Sequence, residues 1–232
     1  MKRAKPIVAI DGPVGAGKST VARKLAWALG FAYLNTGAMY RALAIAAREA
    51  GVSPGDADVE ARLKLVLDSI RIRFDGERIL LDDHDVTAAI TEPEMSELAS
   101  QFSAIGAVRA RMRDLQREAG AAGGVVMEGR DIGTVIFPDA EFKFFLSADV
   151  KVRARRRFEE LRAKGAAITL HEVLEQLIER DRRDRDRELA PLKQADDAIA
   201  IDTTNFSADD VAAAMKKKID AIINGGKDLK RA

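Results

Sequence analysis

The stretch Gly12-Pro13-Val14-Gly15-Ala16-Gly17-Lys18-Ser19 constrains this chain more than any other. It fits the pattern G-x-x-x-x-G-K-[ST]. It also lies between an apolar run at 6–10 that reads as a buried strand and residues 19–29, where Val21, Leu25, Ala28 and Leu29 recur at helical spacing. Glycines at such a junction let successive backbone N–H groups turn inward around a phosphate, and a helix beginning near Lys18 adds the positive end of its dipole. Gly12, Pro13, Val14, Gly15, Ala16, Gly17, Lys18, Ser19 and Thr20 therefore read as a cradle for a nucleoside triphosphate. Lys18 is expected to bridge the β- and γ-phosphates, and the hydroxyl of Ser19, or of Thr20 if the loop is set differently, to face Mg²⁺.

The rest of the chain alternates apolar runs of two kinds, the mark of an α/β protein with a mainly parallel sheet. Short strands are predicted at 31–34, 124–127, 142–146 and 199–201, each of the middle ones followed by a helix. Thr36 reads as the N-cap of a helix running to Arg48, and a last helix is expected over 208–223 before Asn224, Gly225 and Gly226 open a frayed tail. Residues 53–99 break the rhythm. An amphipathic helix carrying Leu63, Leu65, Val66 and Leu67 leads to a hairpin signal, 71–74 and 78–81 around the turn pair Asp75-Gly76, which reads as an inserted subdomain.

Composition narrows the partners. With 38 Lys+Arg against 37 Asp+Glu the formal charge is +1, so no global field attracts nucleic acid or an anionic membrane, and any anion must be held by a local cluster. There is no cysteine, which removes disulfides and thiolate metal sites. The apolar run after Lys5 is too short for a signal peptide, and no segment approaches the roughly 20 apolar residues that span a bilayer; a cytoplasmic, monomeric protein is expected. The three asparagines, Asn35, Asn205 and Asn224, are followed by Thr, Phe and Gly, so no N-K-x-D guanine reader exists. The run Val125-Val126-Met127-Glu128 is followed by Gly129, not by the second acid of an Asp-Glu ATPase strand.

Further clusters suit a smaller anionic acceptor. In Asn35-Thr36-Gly37-Ala38-Met39-Tyr40-Arg41, Thr36, Tyr40 and Arg41 follow a helix N-terminus and could hold a phosphate and a flat ring. Glu128-Gly129-Arg130-Asp131-Ile132-Gly133-Thr134 follows a strand, where open α/β sheets place ligands; Arg130 could clamp phosphate and Asp131 accept from an amino group. Val173, Gln176, Leu177, Arg180, Arg183, Asp184 and Arg187 share one helical stripe that is apolar and packed up to Ile178 and charged beyond it. Periodicity does not choose between a polar site there and a solvated helix end laced with ion pairs. Arg153, Arg156 and Arg157 share another face, which is either a segment closing over the triphosphate or a solvated helix.

Through IDGPVGAGKST at 10–20, NTGAMYRA at 35–42, EGRDIGTVIFPDAEFKFFL at 128–146 and RDRRDRDRELAPL at 180–192, the chain resembles the bacterial cytidylate kinases along essentially its whole length. The resemblance implies a P-loop NTPase three-layer fold: a five-stranded parallel core (1–52 and 100–232), an acceptor-binding insert at about 53–99 and a helical lid at about 153–168. It implies ATP as donor, CMP or dCMP as acceptor, and Mg²⁺. Matched by position, Arg41 and Arg130 correspond to acceptor-phosphate arginines, Ser100, Arg109 and Asp131 to cytosine readers, and Arg180, Asp184 and Arg187 to residues holding sugar and phosphate. Arg153, Arg156 and Arg157 correspond to lid arginines. Asn35 stands where an acid is common, and Glu128 where some relatives carry Asp. Two other readings suit a P-loop chain of this kind: a kinase for an acceptor without a base, such as shikimate or gluconate, and a nucleotide-dependent module that holds ATP and docks a protein or RNA.

Overall fold

A computed structural model describes residues 3–228. Its central sheet is five-stranded and wholly parallel: β1 (Ile7–Asp11), β2 (Ala32–Asn35), β6 (Val125–Glu128), β7 (Phe142–Ser147) and β8 (Ile199–Asp202), in the order β2-β6-β1-β7-β8. Every residue of β1 is buried, as a strand with neighbours on both edges and helices on both faces must be. Its side chains alternate between two cores. Val8 and Ile10 pack with Val21 and Leu25 of α1 (Lys18–Leu29) and Met215 and Ile219 of α8 (Ala208–Asp228). Ile7 and Ala9 pack with Ile132, Ile136 and Phe137 on the opposite face, which completes three layers. The register sets Asn35 and Ile10 beside Glu128, so the carboxyl ends of three strands meet at one edge.

Several local expectations are corrected. Asn35, not Thr36, caps α2 (Thr36–Glu49), its Oδ1 accepting from Ala38 N at 3.2 Å. The Thr36 hydroxyl is engaged across the sheet instead, donating to the Glu128 carbonyl at 2.8 Å. The strand β6 is followed not by an α-helix but by a five-residue π-turn, Ile132–Ile136. The last helix runs on through Asn224, Gly225 and Gly226 to Asp228.

The region at 53–99 holds α3 (Val59–Ser69), β3 (Ile72–Asp75), β4 (Arg78–Leu81) and a strand the sequence did not signal, β5 (His84–Asp85). Asp75 is the last paired residue of β3, opposite Arg78, so the hairpin loop is Gly76-Glu77. In α3, Leu63, Val66 and Leu67 are buried, but Leu65 is 71% exposed because it lies on the opposite side of the helix. This region is not a free-standing unit. Its apolar residues join one cluster with Leu43 and Ile45 of α2 and with Val108 and Met112 of α5 (Gly106–Gly120). The expected boundary at residue 99 falls inside α4 (Pro93–Phe102).

Two helices, α6 (Val150–Ala163) and α7 (Leu170–Asp186), pack through a small cluster of Ala154, Leu161, Val173 and Leu177. Thr169 and Glu172 form a reciprocal capping box that starts α7. Ile178 is 53% exposed and Gln176 exposed, so the packed stripe is narrower than its pattern suggested. Trp27, in the last turn of α1, is 86% exposed.

Candidate active site

A cleft of about 740 Å³ opens beyond the carboxyl ends of β1, β2 and β6, walled by the P-loop, α2, α4, α5, the turn after β6 and the α6–α7 pair. At Gly12 the chain leaves β1 with φ 146°, and a Cβ there would lie 2.0 Å from the Leu146 carbonyl oxygen, so only glycine allows this approach. Val14, Gly15, Gly17, Lys18, Ser19 and Thr20 line the cleft. Gly12, Pro13 and Ala16 do not line it: Ala16 is buried in the core, and Pro13 supplies the carbonyl to which Lys18 Nζ donates at 2.7 Å.

Burial, and then the nearby Arg130, push the Lys18 ammonium well below the ordinary lysine range, opposed by Glu128, Asp11 and Asp184. A buried cation in that state gains most from an incoming anion. Glu128 is held by the Tyr33 phenol, which donates to its Oε1 at 2.5 Å. Burial and then the Glu128 charge raise that phenol. Arg41 lines the cleft with its guanidinium lowered by burial.

Opposite the P-loop, Arg109 pairs with Asp131 Oδ2 in full burial and donates to the Ser103 carbonyl at 3.3 Å. Asp131 Oδ1 faces Arg187 Nη2 at 3.9 Å, too far for a hydrogen bond. Asp184 receives Arg130 Nε at 3.0 Å and has Arg187 Nη1 at 3.7 Å. Burial alone would raise the Asp184 carboxyl, but Arg130, Arg180 and Arg187 together hold it below the usual range. Arg180 is lowered to about 10 by burial and by Arg130. Among the described residues, Ser100 Oγ, Arg180 Nε and Arg187 Nη2 are buried with no hydrogen-bond partner, although their side chains line the cleft. Thr36 and Tyr40 line the same wall, and burial raises the Tyr40 phenol to about 12.

Of the three α6 arginines expected at the lid, Arg153, Arg156 and Arg157, two reach the cleft. Arg156 donates to Thr203 Oγ1 at 3.1 Å and to its carbonyl at 2.7 Å, and Arg157 pairs with Glu160 at 2.8 Å. Arg153 departs from expectation: it does not line the cleft, and its guanidinium is consumed by Val14 O, Ala148 O and Asp181. Sequence reasoning missed Tyr33, Asp181 and Thr203. It also missed Asp11, whose two carboxylate oxygens accept from Ile132 N at 2.9 Å and Gly133 N at 2.8 Å and so fix the turn that carries Arg130 and Asp131. The available signal was a polar residue at the end of a strand for Asp11 and just past one for Thr203; Asp181 and Tyr33 carried none.

A phosphate cradle facing a second wall of clustered arginines, in one cleft at the edge of a parallel sheet, defines a nucleoside monophosphate kinase: a phosphotransferase with ATP as donor. The profile of the cytidylate kinase family matches residues 8–221. The chain belongs to that family. It is 48% identical over 215 residues to a cytidylate kinase of Geobacter sp. (strain M21), covering 92% of each chain. To the cytidylate kinase of Carboxydothermus hydrogenoformans it is 47% identical, covering 90% of this chain and 94% of that one. To that of Syntrophotalea carbinolica it is 49% identical, covering 90% and 89%. No helix among the described residues is long and apolar enough to cross a membrane.

Proposed function

We propose that the protein transfers the γ-phosphoryl of ATP to CMP or dCMP, giving ADP and CDP or dCDP, as a cytoplasmic monomer. The observation that carries this reading is the Arg109–Asp131 pair with Ser100 beside it, set across one cleft from the P-loop. Asp131 Oδ1 is the acceptor a cytosine amino group needs. Uracil would present a carbonyl there, facing a carboxylate with nothing to donate. Arg41, Arg130, Arg180 and Arg187 would hold the acceptor phosphate and sugar, with Asp184 keeping Arg130 and Arg187 aimed. The region at about 53–99 would contribute to the acceptor side through Ile90, Thr91, Ser96 and Ala99, and residues at about 153–168 would form the lid.

An acceptor phosphate is a competent nucleophile near neutral pH, so no general base or covalent intermediate is required. Lys18 would neutralise charge on the transferring phosphoryl, and Arg156 and Arg157 would add charge from the lid side. Lid closure would exclude water as a competing acceptor. The residues present fit Mg²⁺: Ser19 is exposed at the cleft beside Lys18, and Mg²⁺ in such sites takes one side-chain oxygen plus substrate phosphates and waters rather than a protein cage. Bound there, it would neutralise the β- and γ-phosphate oxygens. No nucleic-acid partner belongs to this reading. A coupled assay of ATP with CMP, dCMP, UMP and AMP tests it: CMP and dCMP are expected to be used best, and AMP turned over as efficiently as CMP would overturn it.

A further inference from the structure

Arg153 was expected to reach the triphosphate, yet its guanidinium is spent on three partners from three elements of the chain, one of them in the phosphate loop. Nε donates to the Ala148 carbonyl just past β7 at 3.0 Å, Nη1 to the Val14 carbonyl in the P-loop at 3.1 Å, and Nη2 pairs with Asp181 Oδ2 on α7 at 2.7 Å. The two side chains are 7% and 2% exposed. Around this pair the P-loop tip is gripped further. Val14 packs on the apolar cluster shared by α6 and α7. At Gly15, where φ is 77°, a Cβ would lie 3.0 Å from both the Cβ and the carbonyl oxygen of Arg153, so the loop and the helix backbone are in direct contact.

A buried ion pair is a poor way to gain stability, since an apolar pair of similar volume often does as well. What an arginine adds is a rigid fork that bonds several acceptors in fixed directions. Here two of those acceptors are backbone carbonyls, and one of them lies in the phosphate loop. Asp181 Oδ1 has no hydrogen-bond partner among the described residues, and Arg185 Nη2 stands 3.8 Å from Oδ2, beyond hydrogen-bond reach, so the close contact to this carboxylate is that of Arg153. We propose that Arg153 and Asp181 are positioning residues that couple the α6–α7 pair to Val14 and Gly15 and so set the P-loop for the triphosphate without touching it. The coupling makes the base of the lid part of the donor site.

The inference rests on the P-loop holding ATP, not on the identity of the acceptor, so its primary readout is ATP affinity by calorimetry without CMP. Failure of the parent enzyme to phosphorylate CMP would overturn the acceptor assignment and leave this measurement intact. Arg153→Met and Asp181→Leu are each expected to lower the unfolding midpoint, because each strands a buried charge. The double variant Arg153→Met/Asp181→Leu is expected to regain the midpoint while binding ATP roughly tenfold more weakly, with KM for CMP within about twofold of the parent. Arg153→Lys keeps a charge opposite Asp181 but cannot reach the two carbonyls as well; it should hold the midpoint and still lose ATP affinity. It decides the matter alone if the double variant does not fold. Parental ATP affinity in Arg153→Lys and in a stable double variant would overturn the proposal, as would KM for CMP rising in step with the ATP dissociation constant.

Discussion

The proposed donor side of the cleft comes mostly from one short stretch, Val14 to Thr20, whereas the acceptor side draws on α2, α4, α5, the turn after β6 and α7, from Tyr40 to Arg187. The first is backbone chemistry: N–H groups presented by a loop whose shape glycine permits. The second is side-chain chemistry, in which Arg109, Arg130 and Arg187 are held around Asp131 and Asp184. A loop keeps its geometry through its own sequence. A network spread over five elements keeps its geometry only through the packing beneath them: one large cluster seats α2, α4 and α5, while the turn after β6 and α7 pack in two separate clusters.

This contrast can be broken or sharpened in steps. The largest effect is expected from Lys18→Met, with kcat falling about 10³-fold and KM for CMP nearly unchanged; a parallel rise in KM for CMP in steady-state assays would show that the two sides are not separable. Asp131→Asn is expected to cost about 100-fold in kcat/KM for CMP and to leave ATP affinity alone, because the amide has one acceptor oxygen to serve both buried Arg109 and the cytosine amino group, and its NH2 faces one of these donors. Asp184→Asn is expected to raise KM for CMP about tenfold, since Arg130 and Arg187 lose the charge that aims them. An unchanged KM would reduce the charged end of α7 to surface.

The smallest effects are those of pH, and they carry opposite signs at two carboxylates. The Asp184 carboxyl lies below its ordinary range, so its contribution to stability is complete above about pH 4 and is lost as pH falls further. Asp11 is raised to about 6 by burial, against the Ile132 and Gly133 N–H groups that favour its anion. Between about 4 and 6 the folded chain therefore keeps a proton that the unfolded chain releases, and stability from this group declines as pH rises through that window. Calorimetric midpoints are expected to rise slightly from pH 7 to 5, and Asp11→Asn to flatten that slope.

Legibility in the sequence follows the same division. The P-loop, its flanking strand and helix, and the five parallel strands were readable because each rests on local pattern. The clustering of Arg130, Asp131, Arg180, Asp184 and Arg187 was readable as separate motifs, but that Asp184 bonds Arg130 across 54 positions was not. Ser100 and Arg109 were reached only through family resemblance, since neither sits in a local pattern that suggests a ligand. Arg153 misled for a physical reason: spacing put it on one helical face with Arg156 and Arg157, yet nothing in periodicity reveals that Asp181, another helix away, is buried against it. Leu65 and Ile178 misled similarly, as apolar residues beside an apolar stripe but outside its contact arc. The strand β5 escaped because two residues, His84 and Asp85, have no period to detect.

Trp27 is the single tryptophan of the chain, and it projects from the last turn of α1 with 86% of its surface in water. An indole so placed is solvated whether the chain is folded or not, and it does not line the cleft. Its emission should therefore shift little on unfolding and little on nucleotide binding, which leaves this molecule almost silent in intrinsic fluorescence. Replacing a cleft-lining residue of α4 such as Ser96 with tryptophan, together with Trp27→Phe, would give it a single optical reporter at the acceptor wall.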